Sequence, residues 1–430
     1  MKINLKYSLI FCLLLLAGGF LWAQSPIPAA NQAEPIAIVG ATAHLGNGQV
    51  IQNSLIGFEG GKLTVVEAYN QQALDKYRVI QAEGKHVYPG LIAPNTQLGL
   101  IEIGAVRATR DNDETGSLNP NVRSIIAYNT DSQVIPTIRS MGVLLAQIAP
   151  EGGLISGQSS IVQLDAWNWE DAAYKADEGL YLRLPAKQSY SWRRGTYQKN
   201  EAYDDQMLEI ATYFADAKGY CQQTTAKAEN LKLEAACGLF NGSKKLYVQA
   251  NSVEAITQAV LLAKQHAISL VIVGGEDAWR IPGLLKENNV AVILRSTQSL
   301  PGLPDDDVDL PFKTPKLLQE AGILYCIGHE GFWQYRNLAF QAGQAVGYGL
   351  DYEAAISALT LNTAKILGID DRAGSLEVGK DAILFISQGD VLDMRSAEVI
   401  HAFIQGREID LNNKQKVLYH KFQEKFRRER

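Results

Sequence analysis

Short apolar runs broken by glycines fill the chain from residue 36 to 87. They lie at 36–39, 54–58 and 62–66, with Asn47-Gly48 and Gly60-Gly61 between them. Runs of this length punctuated by turn residues predict a small antiparallel β unit, which cannot bury a face alone. From Val87 the rhythm changes. Apolar runs at 87–93, 143–148, 246–249, 270–273, 290–294 and 324–327 predict buried strands. Between them lie helical stretches such as 252–265, where Ile256, Ala259, Val260 and Ala263 recur at three and four residues. Alternating apolar strands and amphipathic helices imply parallel strands covered by helices, and residues 88–368 suffice for one (β/α)8 TIM-like barrel with insertions. A helix over 352–367 ends at Gly368, after which strands return at 376–386 and 399–404. The expected architecture is therefore α/β, a barrel with a small composite β-sandwich built from both chain ends, 36–87 plus 369–411. Residues 412–430 predict a basic amphipathic helix with Leu418, Phe422 and Phe426 on one face, expected to pack back on the body.

The beginning of the chain changes the picture of where it works. Lys2 and Lys6 precede an apolar run at 9–16, and Ala23 closes the segment. A basic start, an apolar stretch too short to span a bilayer and a small residue at the cut site predict a signal peptide at 1–23. A flexible leader, 24–35, would follow. The chain is then expected to be exported, periplasmic or extracellular, with no membrane span after cleavage. Cys12 would leave with the peptide, and in an oxidising compartment Cys221 and Cys237 are placed to bridge, while Cys326 in its apolar run reads as a core thiol. A formal charge of −6, with 47% hydrophobic and 20% charged residues, describes a globular protein and argues against a nucleic-acid partner.

Five separate stretches, in order, resemble the amidohydrolase superfamily, in particular its imidazolonepropionase-like secreted members. They are Gly84 to Ile92 entering the barrel, Arg107 to Glu114, Pro150 to Ser160, Leu359 to Gly368, and Gly374 to Ala382. The resemblance implies a metal-bearing barrel that hydrolyses C–N bonds, one or two divalent ions supplying hydroxide at neutral pH. It also implies a His-x-His at the end of the first barrel strand. Here that segment reads Asn95-Thr96-Gln97, and both histidines are absent. The next implied ligand falls at Gln249, the one after it at Gly274, and the implied final acid at Glu330, beside His329. Neutral amide oxygens are far poorer zinc ligands than imidazole, and glycine offers nothing.

Of the six histidines, His329 alone is placed at a barrel mouth; His44 and His401 belong to the β unit, His86 precedes the barrel, His266 follows a helix and His420 lies in the tail. The glycine-rich 150–160 segment lacks the Lys-Ser/Thr of a phosphate loop, and no Gly-x-Ser-x-Gly is present. Trp167 and Trp169 suit either a cleft or rim packing. The expected protein has a degenerate metal site, with Asn95, Gln97, Gln249, Gly274, His329 and Glu330 forming a pocket and no cofactor. It would act as a non-catalytic binding or partner subunit, as a homo-oligomer or with an intact amidohydrolase relative. The alternatives are an active zinc hydrolase of cyclic amides or dipeptides with Glu330 as catalytic acid or base, and an envelope protein that binds a small ligand.

Overall fold

The computed structural model describes residues 27–71, 73–191, 195–223, 228–301 and 305–428, so the expected signal peptide lies outside the described residues. Residues 27–35, expected to be a flexible leader, lie against the body instead. Ala29 N–H donates to Asp165 Oδ2 and Gly61 N–H to Gln32 Oε1, both at 2.9 Å.

Both chain ends enter one eight-stranded sheet. The hinge is His86–Pro89, which pairs in parallel with Ile36–His44 on one side and antiparallel with Leu384–Ser387 on the other, Val87 opposite Ile386. Val50–Glu59 and Lys62–Ala68 extend it at one end, Val399–Ile404 and Arg407–Glu408 at the other. Ile38, Ile56, Phe58, Leu384 and Phe403, contributed from both ends, form its core.

The second sheet is a nearly closed barrel. Leu91–Thr96, Val143–Ile148, Ile155–Gln163, Ala173–Arg183, Lys245–Ala250, Leu270–Gly274, Ala291–Leu294 and Tyr325–Ile327 follow one another in space as in sequence. All but one run parallel. Ile155–Gln163, which overlaps the glycine-rich 150–160 segment, is antiparallel to both neighbours. Gly152 and Gly153, both at positive φ, turn the chain into it. The helix expected over 352–367 is two, Tyr352–Leu359 and Leu361–Leu367, divided at Thr360 and closed by Gly368 in the left-handed conformation. Cys221 and Cys237 are disulfide-bonded with Cα atoms 5.4 Å apart, and Cys326 is a buried free thiol.

The tail helix Lys414–Arg428 does not pack back on the body: none of its residues is buried. Lysines and arginines flank its apolar stripe, and burying that stripe against protein would strand their charges.

Inside the barrel lies a carboxylate. Glu178 accepts hydrogen bonds from Gln147 Nε2 at 2.7 Å, Tyr247 OH at 2.8 Å and Ser159 Oγ. Gln147 in turn accepts from Tyr181 OH at 3.1 Å and from the Asn95 N–H at 3.0 Å. Gly179 makes room for this network, since a Cβ there would sit 2.2 Å from the Tyr247 ring. Burial pushes the Glu178 carboxyl above its ordinary value of 4.5, against the lowering effect of its three donors. The folded barrel thus favours the protonated acid. That contribution is whole below about 4.5 and is lost as pH rises through the higher value held in the barrel. Denaturant melts should show Glu178→Ala losing at least about 3 kcal/mol, because buried donors are left without an acceptor. Glu178→Gln should lose less and should flatten the decline of stability as pH rises above about 4.5.

Candidate functional site

The C-terminal ends of the parallel strands open on a cavity of about 1110 Å³. Leu91–Thr96 delivers Asn95 to it, and Gln97 follows directly. Strict strand alternation does not place this pair: Asn95 lies at φ +47, a left-handed residue after Pro94. Its N–H is held by Gln147, and Tyr335 OH bonds both the Pro94 and Asn95 carbonyls. Thr96 Oγ1 donates to the Gly331 carbonyl at 2.9 Å, drawing the first strand toward the loop after the last one. The barrel closes here through side chains.

Gln249, from Lys245–Ala250, and Glu330, beyond Tyr325–Ile327, also line this cavity. His329 does not. Its Nδ1 accepts the Glu330 N–H at 2.7 Å and its ring meets Tyr335 edge-on. Burial lowers its pKa, so the imidazole is neutral at neutral pH. Gly274 lines a neighbouring cavity of about 890 Å³, with Leu294, Leu310 and Pro311 among its apolar walls. Asn251 and Arg295 face both cavities. Trp167 is exposed and Trp169 packs at the edge of the core, and neither lines a cavity described here.

The charged groups of the mouth went unread in the sequence. Arg183 ends Ala173–Arg183, Arg295 follows Ala291–Leu294, and Glu151 stands in the loop after Val143–Ile148. Arg295 Nε lies 3.0 Å from Glu330 Oε1, and its Nη1 3.9 Å from Glu276 Oε1. Burial raises the Glu151 carboxyl above its ordinary value, against the Asn112 amide bonded to it, and burial likewise raises Glu276. A position directly after an apolar barrel strand was the available signal for Arg295 and Asn251, because such positions face the mouth.

Zinc, which the family resemblance implies, requires several imidazole, thiolate or carboxylate donors around one point. Among the described residues no three His, Cys, Asp or Glu side chains are so grouped. The mouth offers amides, the Glu330 carboxylate held by a guanidinium, the Glu151 carboxylate and a second guanidinium. Such groups bind carboxylates and amides through paired hydrogen bonds.

Comparison with known proteins agrees with the architecture. The sequence model of the amidohydrolase family matches residues 316–409. Over 90% of this chain, an amidohydrolase of Hapsidospora irregularis, tasK, is 20% identical, and the chain spans 42% of that relative's length. A solved amidohydrolase from Thermotoga maritima superposes with a TM-score of 0.76 at 24% identity, over 87% of this chain and 99% of the other. The chain is similar to amidohydrolases in sequence and in fold. Weaker likenesses within the same fold include a molinate hydrolase, TM-score 0.57 at 17% identity over 88% and 95% of the two chains. A Xaa-Pro dipeptidase gives 0.56 at 14% identity over 87% and 100%.

Within this amidohydrolase-like barrel, Gly274 leaves no room for a side chain. Its φ is +107, and a Cβ would fall 2.0 Å from Asn251 Oδ1. Gly274→Ala should therefore cost about 1–3 kcal/mol in thermal or denaturant unfolding. Pairing it with Asn251→Gly should recover part of the loss, and an unchanged melting curve for the single variant would refute the contact.

Proposed function

We propose that this amidohydrolase-fold chain is a binding subunit without hydrolytic chemistry of its own. Its barrel mouth takes a small ligand that carries a carboxylate and an amide, such as a dipeptide or an opened cyclic amide. One observation carries the reading: Arg295, 3.0 Å from Glu330, occupies the acid that a metal-bound water would need. A guanidinium is permanently charged, so a divalent ion beside Glu330 would meet a fixed positive charge. Arg183 lines the same cavity and adds a second. Asn95 and Gln97 supply amide donors and acceptors where the family resemblance leads one to expect imidazoles, and Gln249 does so where it leads one to expect a further ligand. The proposal includes export directed by residues 1–23 and work as a homo-oligomer or beside an intact relative.

The test is metal and ligand binding on one preparation. After saturation with Zn²⁺ and desalting, zinc should remain far below one ion per chain, and a panel of cyclic amides and dipeptides should show no turnover. Calorimetry with the same panel should find carboxylate ligands whose affinity drops about 10–100-fold in Arg183→Ala or Arg295→Ala, the loss of one charge-assisted contact. Near-stoichiometric zinc with turnover abolished by Glu330→Ala would replace this reading with an active hydrolase that uses Glu330, His329 and the Asn95 and Gln97 amides.

A further inference from the structure

The helix Lys414–Arg428 takes no part in the site and is tied to the body at its first turn. Asn413 Oδ1 accepts the Lys416 N–H, and Asn413 Nδ2 donates to Ser140 Oγ, both at 2.9 Å. Thr137 Oγ1 donates to Gln415 Oε1 at the same distance. Thr137 and Ser140 precede the barrel strand Val143–Ile148, so this root lies at the end of the barrel opposite the mouth.

At 3.6 residues per turn, Leu418, Tyr419, Phe422 and Phe426 fall within an arc of about 100°. They are 40, 62, 50 and 59% exposed. Large apolar side chains gathered in one open stripe mark an interaction surface. The charges around the stripe decide what covers it. Lys414, Lys421 and Lys425 follow one margin; Lys416 and Arg427 follow the other. The helix's one acid, Glu424, lies on the far face and is paired with Arg428. Six basic residues against one acid thus stand on a chain whose formal charge is −6. Aromatic residues at the centre with cations along both edges match a helix lying flat in a lipid interface. The rings enter the acyl boundary while lysine and arginine stems reach outward to phosphates. A protein groove deep enough to cover the stripe would instead have to neutralise both basic margins.

We infer that Lys414–Arg428 docks on anionic phospholipid surfaces, with Leu418, Phe422 and Phe426 inserted and the flanking lysines and arginines on the headgroup phosphates. Because the root is at the base of the barrel, the ligand mouth stays open at the other end. Hydrogen exchange on the full chain locates the contact even if another segment also touches lipid. Vesicles of phosphatidylglycerol and phosphatidylcholine should slow exchange across 414–428 by about tenfold or more, and pure phosphatidylcholine vesicles should not. The double variant Phe422→Ser/Phe426→Ser should lose the protection, and Lys421→Glu/Lys425→Glu should weaken it at least about fivefold. Exchange unaffected by anionic vesicles, or equally slowed by neutral ones, overturns the inference. Protection without lipid that grows with protein concentration also overturns it and assigns the stripe to a second copy of the chain.

Discussion

A buried acid with no cation in direct contact among the described residues sets the geometry on which the barrel mouth depends. Glu178 is 3% exposed and gathers Gln147, Ser159 and Tyr247 from three neighbouring strands. Its cost is desolvation, and hydrogen bonds offset that cost only while every donor stays in place. The consequence reaches the surface through one further link. Gln147, fixed by Glu178, accepts the Asn95 N–H, so the left-handed turn at Asn95 is held from beneath. Polar core and polar mouth are consecutive layers of one hydrogen-bonded structure.

The sheet made from both chain ends is locked to the barrel by two other buried acids. Asp165 receives Arg139 from the barrel side and Arg407 from the last strand of the sheet, each at 2.7 Å. Asp381 receives Lys62 at 2.6 Å from the sheet and Tyr174 OH at 2.7 Å from the barrel. At Asp165, whose side chain is 2% exposed, removing both arginines would leave an uncompensated buried charge, a cost of about 3–5 kcal/mol. Residues distant in sequence are thereby held to one geometry, and the barrel strands enter from a fixed base.

The fold was more legible than the site, for physical reasons. Runs such as Leu270–Gly274 are buried along their whole length, and composition alone marks them as parallel strands. The return of β character after Gly368 likewise announced a sheet shared by both ends. Ile155–Gln163 escaped notice because glycine and serine dominate its first half, and its burial comes from neighbours rather than from its own side chains. In the site, the resemblance directed attention to Asn95, Gln97, Gln249 and Glu330, and these four share a cavity. It also pointed to His329 and Gly274, which face elsewhere: a residue's side of a loop depends on local bonds such as that of His329 Nδ1 to the Glu330 N–H. Arg183 and Arg295 stayed hidden, because no pattern that looks for metal ligands looks for arginine.

Those arginines alter what the mouth can accept. The side chains of Arg295 and Glu330 are 43% and 62% exposed, so their ion pair is worth at most about 1 kcal/mol and exchanges partners easily. An arriving carboxylate can take the place of Glu330 on the guanidinium with the charge count of the pair restored. An arriving dication has no equivalent exchange open to it: it must draw Glu330 away from Arg295, leaving that guanidinium only the more distant Glu276, with Arg183 lining the same cavity. Glu151 does little to correct this, since burial already makes its charged form less favourable than in water. The asymmetry comes from the chemistry of the fixed charges themselves. In the proposed binding role it would favour an anionic ligand over a metal wherever the two compete for Glu330 and Arg295.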